Sequence, residues 1–349
     1  MRKETKKKTM IVAIGLLVAI VGVCIAWKGY RYYNASVVDL GMQKKEILYI
    51  PTGATYQTVK DSMNRRGWIA DEDVLDRMAG LMSYTGKVKP GRYEIENGMS
   101  ARSLLNMLRS GNQKPVRITF NNIRTVDKLA SVVSRHLEAD STDLVAAMTD
   151  EAVVREMGLN SETRLVIYLP DTYEIWWNTS PEDFVERMKK EYDTFWTEER
   201  RAKAEEIGLT PTEVSILASI VEEETNKADE YPIIAKIYLN RLKQNWPLQA
   251  CPTLKYAMGD MTIRRVLKRD MEIDSPYNTY KNRGLPPGPI RIPSKTVIDA
   301  VLNPAEVDYM FMCAKADGSG RHSFARTQAE HNRNAEEYHR LLDGRRIYR

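Results

Sequence analysis

Histidine and cysteine are scarce in this chain, four and three residues out of 349. None of His136, His322, His331 and His339 stands in an H-E-x-x-H arrangement, and no C-x-x-C pair exists. A zinc site of the usual spacing is therefore excluded, and the histidines read as surface or core residues. Cys24 lies in an apolar run, which leaves Cys251 and Cys313 as thiols that one sequence gives no reason to pair. Also missing are a G-x-S-x-G elbow, a G-x-x-x-x-G-K-S/T loop and a G-x-G-x-x-G turn. Their absence excludes the hydrolase serine elbow, the P-loop and the dinucleotide fingerprint, and no cofactor is expected. Surplus charge is missing as well. The first nine residues, MRKETKKKT, hold five bases and one acid, and the remainder sets 47 basic residues against 46 acidic ones. A basic surface for nucleic acid is not expected.

What the N-terminus does have is one long apolar run. Met10 to Trp27, MIVAIGLLVAIVGVCIAW, is eighteen residues without a charge. At 1.5 Å rise per residue it spans roughly 27 Å, close to the hydrocarbon thickness of a bilayer. Trp27, Tyr30, Tyr32 and Tyr33 follow as interfacial aromatics. A cleaved signal peptide would share the basic start, but this run exceeds a usual h-region and no Ala-x-Ala site follows it. The expectation is an uncleaved single-pass anchor, 10–27. The basic tail, 1–9, then lies in the cytoplasm by the positive-inside rule, and everything beyond the anchor lies outside.

Beyond a short stalk, 28–45, the pattern predicts an α+β chain. Ile47 to Ile50 reads as a strand, Pro51 to Gly53 as a turn, and Thr55 as the N-cap of a helix with Val59 and Met63 on one face. Seventy residues later the same order recurs: Phe120 takes the place of Ile50, Thr125 of Thr55 and Leu129 of Val59. Between the two, a turn at Pro90-Gly91 and a short strand through Tyr93 and Ile95 lead to a helix capped by Ser100. Leu104, Leu105 and Leu108 face inward there, and Gly111 stops the helix. Residues 46–113 are thus expected to form a small α+β module and 116–345 a larger mixed α/β domain. In the larger part helices dominate 125–245, YLPDTYEIW at 168–176 interrupts them, and YNTYKNRGLPPGPI forms a loop too rich in proline for a helix or central strand. A hairpin around Asp317-Gly318-Ser319-Gly320 and a helix from Thr327 to Leu342 close the chain.

The stretch SIVEEET ends a strongly signalled helix. Thr210-Pro211-Thr212-Glu213 is a capping box with proline at the first helical position. At 100° per residue Val214, Leu217, Ala218 and Val221 share a core face. Glu222 falls beside Ser215 at the edge of that face, Glu224 next to Leu217, and Glu223 opposite the core with Ile216. Glu223 is therefore expected to be exposed and insensitive to substitution. Three acids at a helix C-terminus oppose the helix dipole, and solvation is their simplest explanation. The alternative is a carboxylic acid in a partly apolar wall, near a loop of Tyr, Asn and Gly. That combination suits carbohydrate: aromatic faces stack on sugars, amides bind hydroxyls, and a Glu with raised proton affinity protonates a glycosidic oxygen.

Five motifs occur in order: LASIVEEET, IYLNRLKQNWPLQACPTLKYAMG, SPYNTYKNRGLPPGPIRIPS, NPAEVDYMFM and GSGRHSFARTQAEHNRNAEEY. Together they resemble the YceG-like endolytic murein transglycosylases, as do LPDTY at 169–173 and KPGRYEI…GMSARSLLNML in the small module. The resemblance covers nearly the whole chain beyond the anchor. It implies a LysM-like small module and a catalytic domain with a helix-borne glutamate. The implied activity is a lyase that cuts peptidoglycan glycan strands internally and leaves a 1,6-anhydro-N-acetylmuramic acid end. On this resemblance Glu222 is the catalytic acid. Glu224, Asn240, Arg241, Gln249, Thr253, Tyr277, Asn278 and Tyr280 are substrate-site positions, with Thr279 between the last two, and no metal takes part. Glycan strands are the implied substrate and cell-wall synthases (penicillin-binding proteins) candidate membrane partners, at the inner membrane of a bacterium. Two departures stand out: many members have aspartate at the position of Cys251, and LVIY replaces a Glu-Gly pair near 165–168. Pro286, Pro287 and Gly288 are expected only to shape their loop. A non-catalytic, membrane-tethered peptidoglycan scaffold is the alternative, but it would have no need of the three acids.

Overall fold

The computed structural model describes residues 2–344 apart from 264 and 265. The side chains of the basic tail, and residue 345 at the expected end of the larger domain, lie outside the described residues. Arg2–Tyr33 forms one helix, α1. Within it Ala13–Arg31, 19 residues and nowhere buried, is long and apolar enough to cross a membrane, a property shared by membrane anchors and signal sequences. Trp27, Tyr30 and Tyr33 are exposed toward its end, and the Arg31 guanidinium lies 4.9 Å from the Trp27 ring centroid.

The chain divides into two compact units, Met1–Val116 with Glu174–Asn178, and Arg117–Tyr173 with Thr179–Arg349. In the first, β1 (Lys45–Ile50) leads through α2 (Tyr56–Asn64) and α3 (Glu72–Leu81) to β2 (Gly91–Glu96) and then α4 (Ala101–Ser110). β1 and β2 pair antiparallel with Leu48 opposite Tyr93. Because successive side chains alternate across a strand, Leu48, Ile50, Tyr93 and Ile95 all enter one core, where Leu104, Leu105 and Leu108 of α4 meet them. Gly111 ends α4 with φ +77°, a left-handed cap that glycine adopts without strain. The pattern did not predict α3, which Asp71 caps through a 3.0 Å bond from the Val74 N–H. Nor is 28–45 a free stalk throughout. Val37, Val38 and Leu40 are buried in the same core, and the Val37 N–H donates to the Met99 carbonyl at 3.0 Å. The short segment Glu174–Asn178 returns to this unit, where the Trp177 ring meets Tyr49 edge-on at 5.0 Å.

The second unit opens on the recurring pattern. β3 (Val116–Phe120) is followed by α5 (Val126–Val133), capped by Thr125 as Thr55 caps α2; in both the hydroxyl accepts at 3.2 Å from the N–H three residues on. α6 (Ser141–Thr149) and α7 (Glu151–Glu156) lead to β4 (Asp171–Ile175), which pairs with β3. The expected interruption at 168–176 is thus a strand. α8 (Pro181–Phe195), α9 (Glu198–Glu206), α10 (Pro211–Glu224), α11 (Tyr231–Lys243) and α12 (Cys251–Ala257) follow. A long loop then reaches α13 (Lys295–Leu302), the hairpin of β5 (Phe311–Ala314) and β6 (His322–Ala325), and finally α14 (Gln328–Gly344).

α10 is the axis of this unit. Thr210 and Glu213 form the expected capping box, the carboxylate accepting the Thr210 N–H at 2.8 Å. The wheel supposed one core face, but every residue from Val214 to Val221 is buried, Ile216 included. α9, α11, α12 and α13 pack around it, so the helix has no solvent side to offer. Ser219 uses its hydroxyl twice, donating to the Ile216 carbonyl at 2.7 Å and accepting the Ile290 N–H at 3.1 Å. That bond pins the proline-rich loop against the helix just before its three acids.

Candidate active site

The three acids leave α10 in two directions. Glu222 Oε2 accepts the N–H of Ser294, the N-cap of α13, at 2.9 Å. The same oxygen lies 3.6 Å from Arg291 Nε, and the Glu222 side chain keeps 13% of its surface accessible. Glu223, expected on an exposed face, is instead enclosed. Its Oε1 takes Arg124 Nη2 at 2.5 Å and Arg291 Nη1 at 2.9 Å, and only 11% of its side chain is accessible. The expectation failed because it required an outward face on a helix that has none. Glu222 and Glu223 therefore share Arg291, and Arg124 holds the far side.

Glu224 points into a different setting. Its Oε1 accepts the Tyr238 hydroxyl of α11 at 2.5 Å. Burial pushes the Glu224 carboxyl up, and the Tyr238 bond with the charges of His322, Lys255 and Arg241 pulls it back only in part. Cys251, at the start of α12, lies near this carboxyl, and its Sγ is 3.2 Å from the Tyr280 hydroxyl. Burial raises this thiol and the Glu224 charge raises it further. Cys251 and Cys313 are both free. Burial of Glu224 beside Leu217 was the expectation, and its surroundings favour the protonated form; the contacts of Glu222 are a cation and a backbone N–H.

Directly after the acids, a second cluster ties the helix end to the hairpin. The Thr225 hydroxyl donates to Glu230 Oε2 at 2.8 Å, His322 Nδ1 lies 3.0 Å from the same oxygen, and the His322 N–H donates to Oε1 at 2.8 Å. Burial alone would raise the Glu230 carboxyl, but these bonds outweigh it and hold it below its usual range. His322 was read from the sequence as a plain surface or core histidine. Its place in the GSGRHSFA motif was the one available signal.

Among the other expected substrate positions Gln249 is exposed, Asn240 and Tyr280 are partly exposed, and Arg241, Thr253, Tyr277 and Asn278 are buried. Gln249 is exposed and adopts φ +51°, while its N–H donates to the Thr279 carbonyl at 2.9 Å. The Tyr280 ring stands beside Cys251, as described. The remaining side chains are committed inside the protein. Asn278 is fully buried, its amide donating to the Met271 and Ile273 carbonyls at 2.9 and 2.8 Å and accepting the Tyr280 N–H at 3.0 Å. Thr253 is buried against Thr279, their hydroxyls 2.8 Å apart. Arg241 spends its guanidinium on the Met310 and Leu248 carbonyls, and Asn240 donates to the Tyr309 carbonyl at 3.1 Å. Tyr277 donates to Glu162 Oε2 at 2.8 Å. The polar groups of these five are thus engaged within the protein. Gly288 is needed for a close approach: a Cβ there would lie 2.2 Å from the Glu162 carbonyl oxygen.

Comparison with known proteins gives a single direction. The YceG-like family model matches residues 48–337. An endolytic murein transglycosylase of Bacillus subtilis is 30% identical over 308 residues, covering 83% of each chain. The protein of the same name from Streptococcus pneumoniae is 28% identical over 346 residues; the match takes in 89% of this chain but 62% of that longer protein. The crystal structure of a yceG-like protein from Listeria monocytogenes superposes with a TM-score of 0.56 at 25% identity, over 83% of this chain and 98% of that one.

Proposed function

This chain belongs to the YceG-like family, and from that membership we propose that it is an endolytic peptidoglycan lytic transglycosylase with Glu222 as its acid and base. The bond cut is the MurNAc–GlcNAc linkage within a glycan strand. Glu222 gives a proton to the departing glycosidic oxygen, and the C6 hydroxyl of the same muramic acid attacks C1. The proton of that hydroxyl returns to Glu222, so the sugar closes to a 1,6-anhydro ring and no water is consumed. An intramolecular nucleophile needs no second carboxylate to activate it. The observation that carries this reading is the position of Glu222, a partly accessible carboxyl at the end of a fully enclosed helix, held by Ser294 and Arg291.

Around this centre, the exposure of Gln249 and the partial exposure of Tyr280 and Asn240 support reading these as residues that meet the glycan. The strand–helix–helix–strand order of the first unit supports reading it as LysM-like, a guide for the strand with no chemistry of its own. α1 is read as an anchor in the bacterial inner membrane with its N-terminus cytoplasmic. The enzyme then works outside that membrane, where trimming or ending new strands beside cell-wall synthases is its natural task. The deciding experiment is mass spectrometry of fragments released from purified peptidoglycan by the full chain in detergent. Anhydro-ended internal fragments are expected; reducing ends would make the enzyme a hydrolase, and no release would leave a binding scaffold.

A further inference from the structure

Proton donation by Glu222 creates a negative charge on Glu222, and Arg291 is the cation beside it. The two are not hydrogen-bonded: Arg291 Nε is buried, has no hydrogen-bond partner among the described residues, and stands 3.6 Å from Glu222 Oε2. The rest of the guanidinium is fixed from behind. Nη1 is bound to Glu223 Oε1 at 2.9 Å, the oxygen that also receives Arg124 Nη2 at 2.5 Å, while Arg124 Nη1 reaches Asn122 Oδ1 at 3.0 Å in the turn before α5. Arg291 and Arg124 have 15% and 29% of their side chains accessible, so neither swings freely in water. Resting on the assignment of Glu222 above, we infer that Arg291 is a positioning residue of the reaction. Braced by Glu223 and Arg124, it fixes the Glu222 carboxyl and takes up the charge that appears there as the proton leaves.

A cation near a neutral carboxyl gains little, but the same cation near a carboxylate gains a Coulomb term and a charge-assisted hydrogen bond. An interaction that strengthens along the reaction lowers the barrier, whereas one present throughout does not. The spare Nε–H stands 3.6 Å from Glu222 Oε2, just beyond hydrogen-bond range. The Ser294 N–H and Arg291 both address Oε2, which leaves Oε1 as the oxygen that faces the sugar. The groups that face Glu222 are the Ser294 N–H from α13, Arg291 from the segment before it, Glu223 from its own helix and Tyr231 from α11, which feels both Glu222 and Arg291. Arg124 acts on it through Glu223.

Removal of the cation therefore acts on the chemical step. In Arg291→Gln kcat for release of anhydro-ended fragments falls, roughly ten- to a hundredfold, while KM changes little, because Arg291 is bound to Glu223 and not to the sugar. Arg291→Lys retains the charge and loses the fork, so it recovers part of the lost kcat. A merely structural role would lower the melting temperature and would not be relieved by the charge of the lysine. An unchanged kcat in folded Arg291→Gln, or an Arg291→Lys no faster than Arg291→Gln, overturns the inference. If Arg291→Gln does not fold, Arg291→Met fills the same volume and decides by the same criterion. Glu222→Gln is measured alongside: near-normal release there overturns the Glu222 assignment itself, whereas an inert Glu222→Gln with an unimpaired Arg291→Gln overturns only the role of Arg291.

Discussion

The two sides of the α10 terminus hold chemically identical groups in opposite settings. On one side Glu222 and Glu223 share two guanidinium groups and the N–H of Ser294. On the other, Glu224 faces the Tyr238 hydroxyl, with a thiol and a second phenol nearby, and burial favours its protonated form. The contrast teaches that adjacency in sequence says little about role. A rotation of about 100° per residue is enough to send neighbouring carboxyls into ionic and apolar surroundings.

The strongest way to break this comparison is to neutralise each acid in turn. Glu222→Gln keeps shape but cannot give up a proton, and release of anhydro-ended fragments should fall on the order of 10²–10⁴-fold. Glu224→Gln should retain far more activity, since its disturbance is one of packing and orientation. Equal losses would erase the distinction between the two sides. Next comes Glu223→Gln, which leaves Arg124 and Arg291 facing one another without their shared anion. A loss of roughly 1–3 kcal/mol is expected from denaturant unfolding, less than for a fully buried pair because Arg124 is partly exposed. An unchanged midpoint would restore the solvent-exposed reading.

Tyr238→Phe tests the apolar side. Removing the donor to Glu224 should cost about 1.5 kcal/mol where the carboxyl is ionised and less at lower pH, where it is protonated and the bond loses its charge. A loss independent of pH would mean that Tyr238 acts by packing alone. The smallest expected effect is the pH slope at Glu224. Its carboxyl is raised on folding, so its contribution is fully present below the unfolded value near 4.5 and is lost as pH rises through the folded one. Glu224→Gln removes that slope, and its melting temperature relative to the parent should climb as pH rises above about 4.5. A constant difference would show that burial does not disfavour the Glu224 anion.

What could be read from the sequence was local. Thr55, Ser100, Thr125 and Thr210 act as caps where the spacing placed them, because an N-cap satisfies N–H groups two or three residues away. The strand before α2, the inward leucines of α4 and the hairpin around Gly318 have the same short-range basis. What could not be read was long-range. The bonds to Glu223 join residues 99 and 68 positions apart, and no periodicity encodes them. The amide of Asn278 looked ready for a sugar hydroxyl because its type suits that task, yet the loop's own carbonyls claim it. In a proline-rich segment, many backbone groups lack ladder partners, and side-chain amides are the ready supply.

One consequence of the meeting between α10 and α13 concerns portability. Three acids at a helix C-terminus are unfavourable on their own; here the N-terminus of a separate helix, Ser294 at its head, receives the first of them. The electrostatic debt of the motif is settled by parts of the chain roughly 70 residues later and 100 residues earlier. Grafted onto another scaffold, the seven residues SIVEEET would carry their repulsion and leave its remedy behind. An engineer wishing to move this site would have to transplant a junction of three segments, of which the recognisable motif is only one.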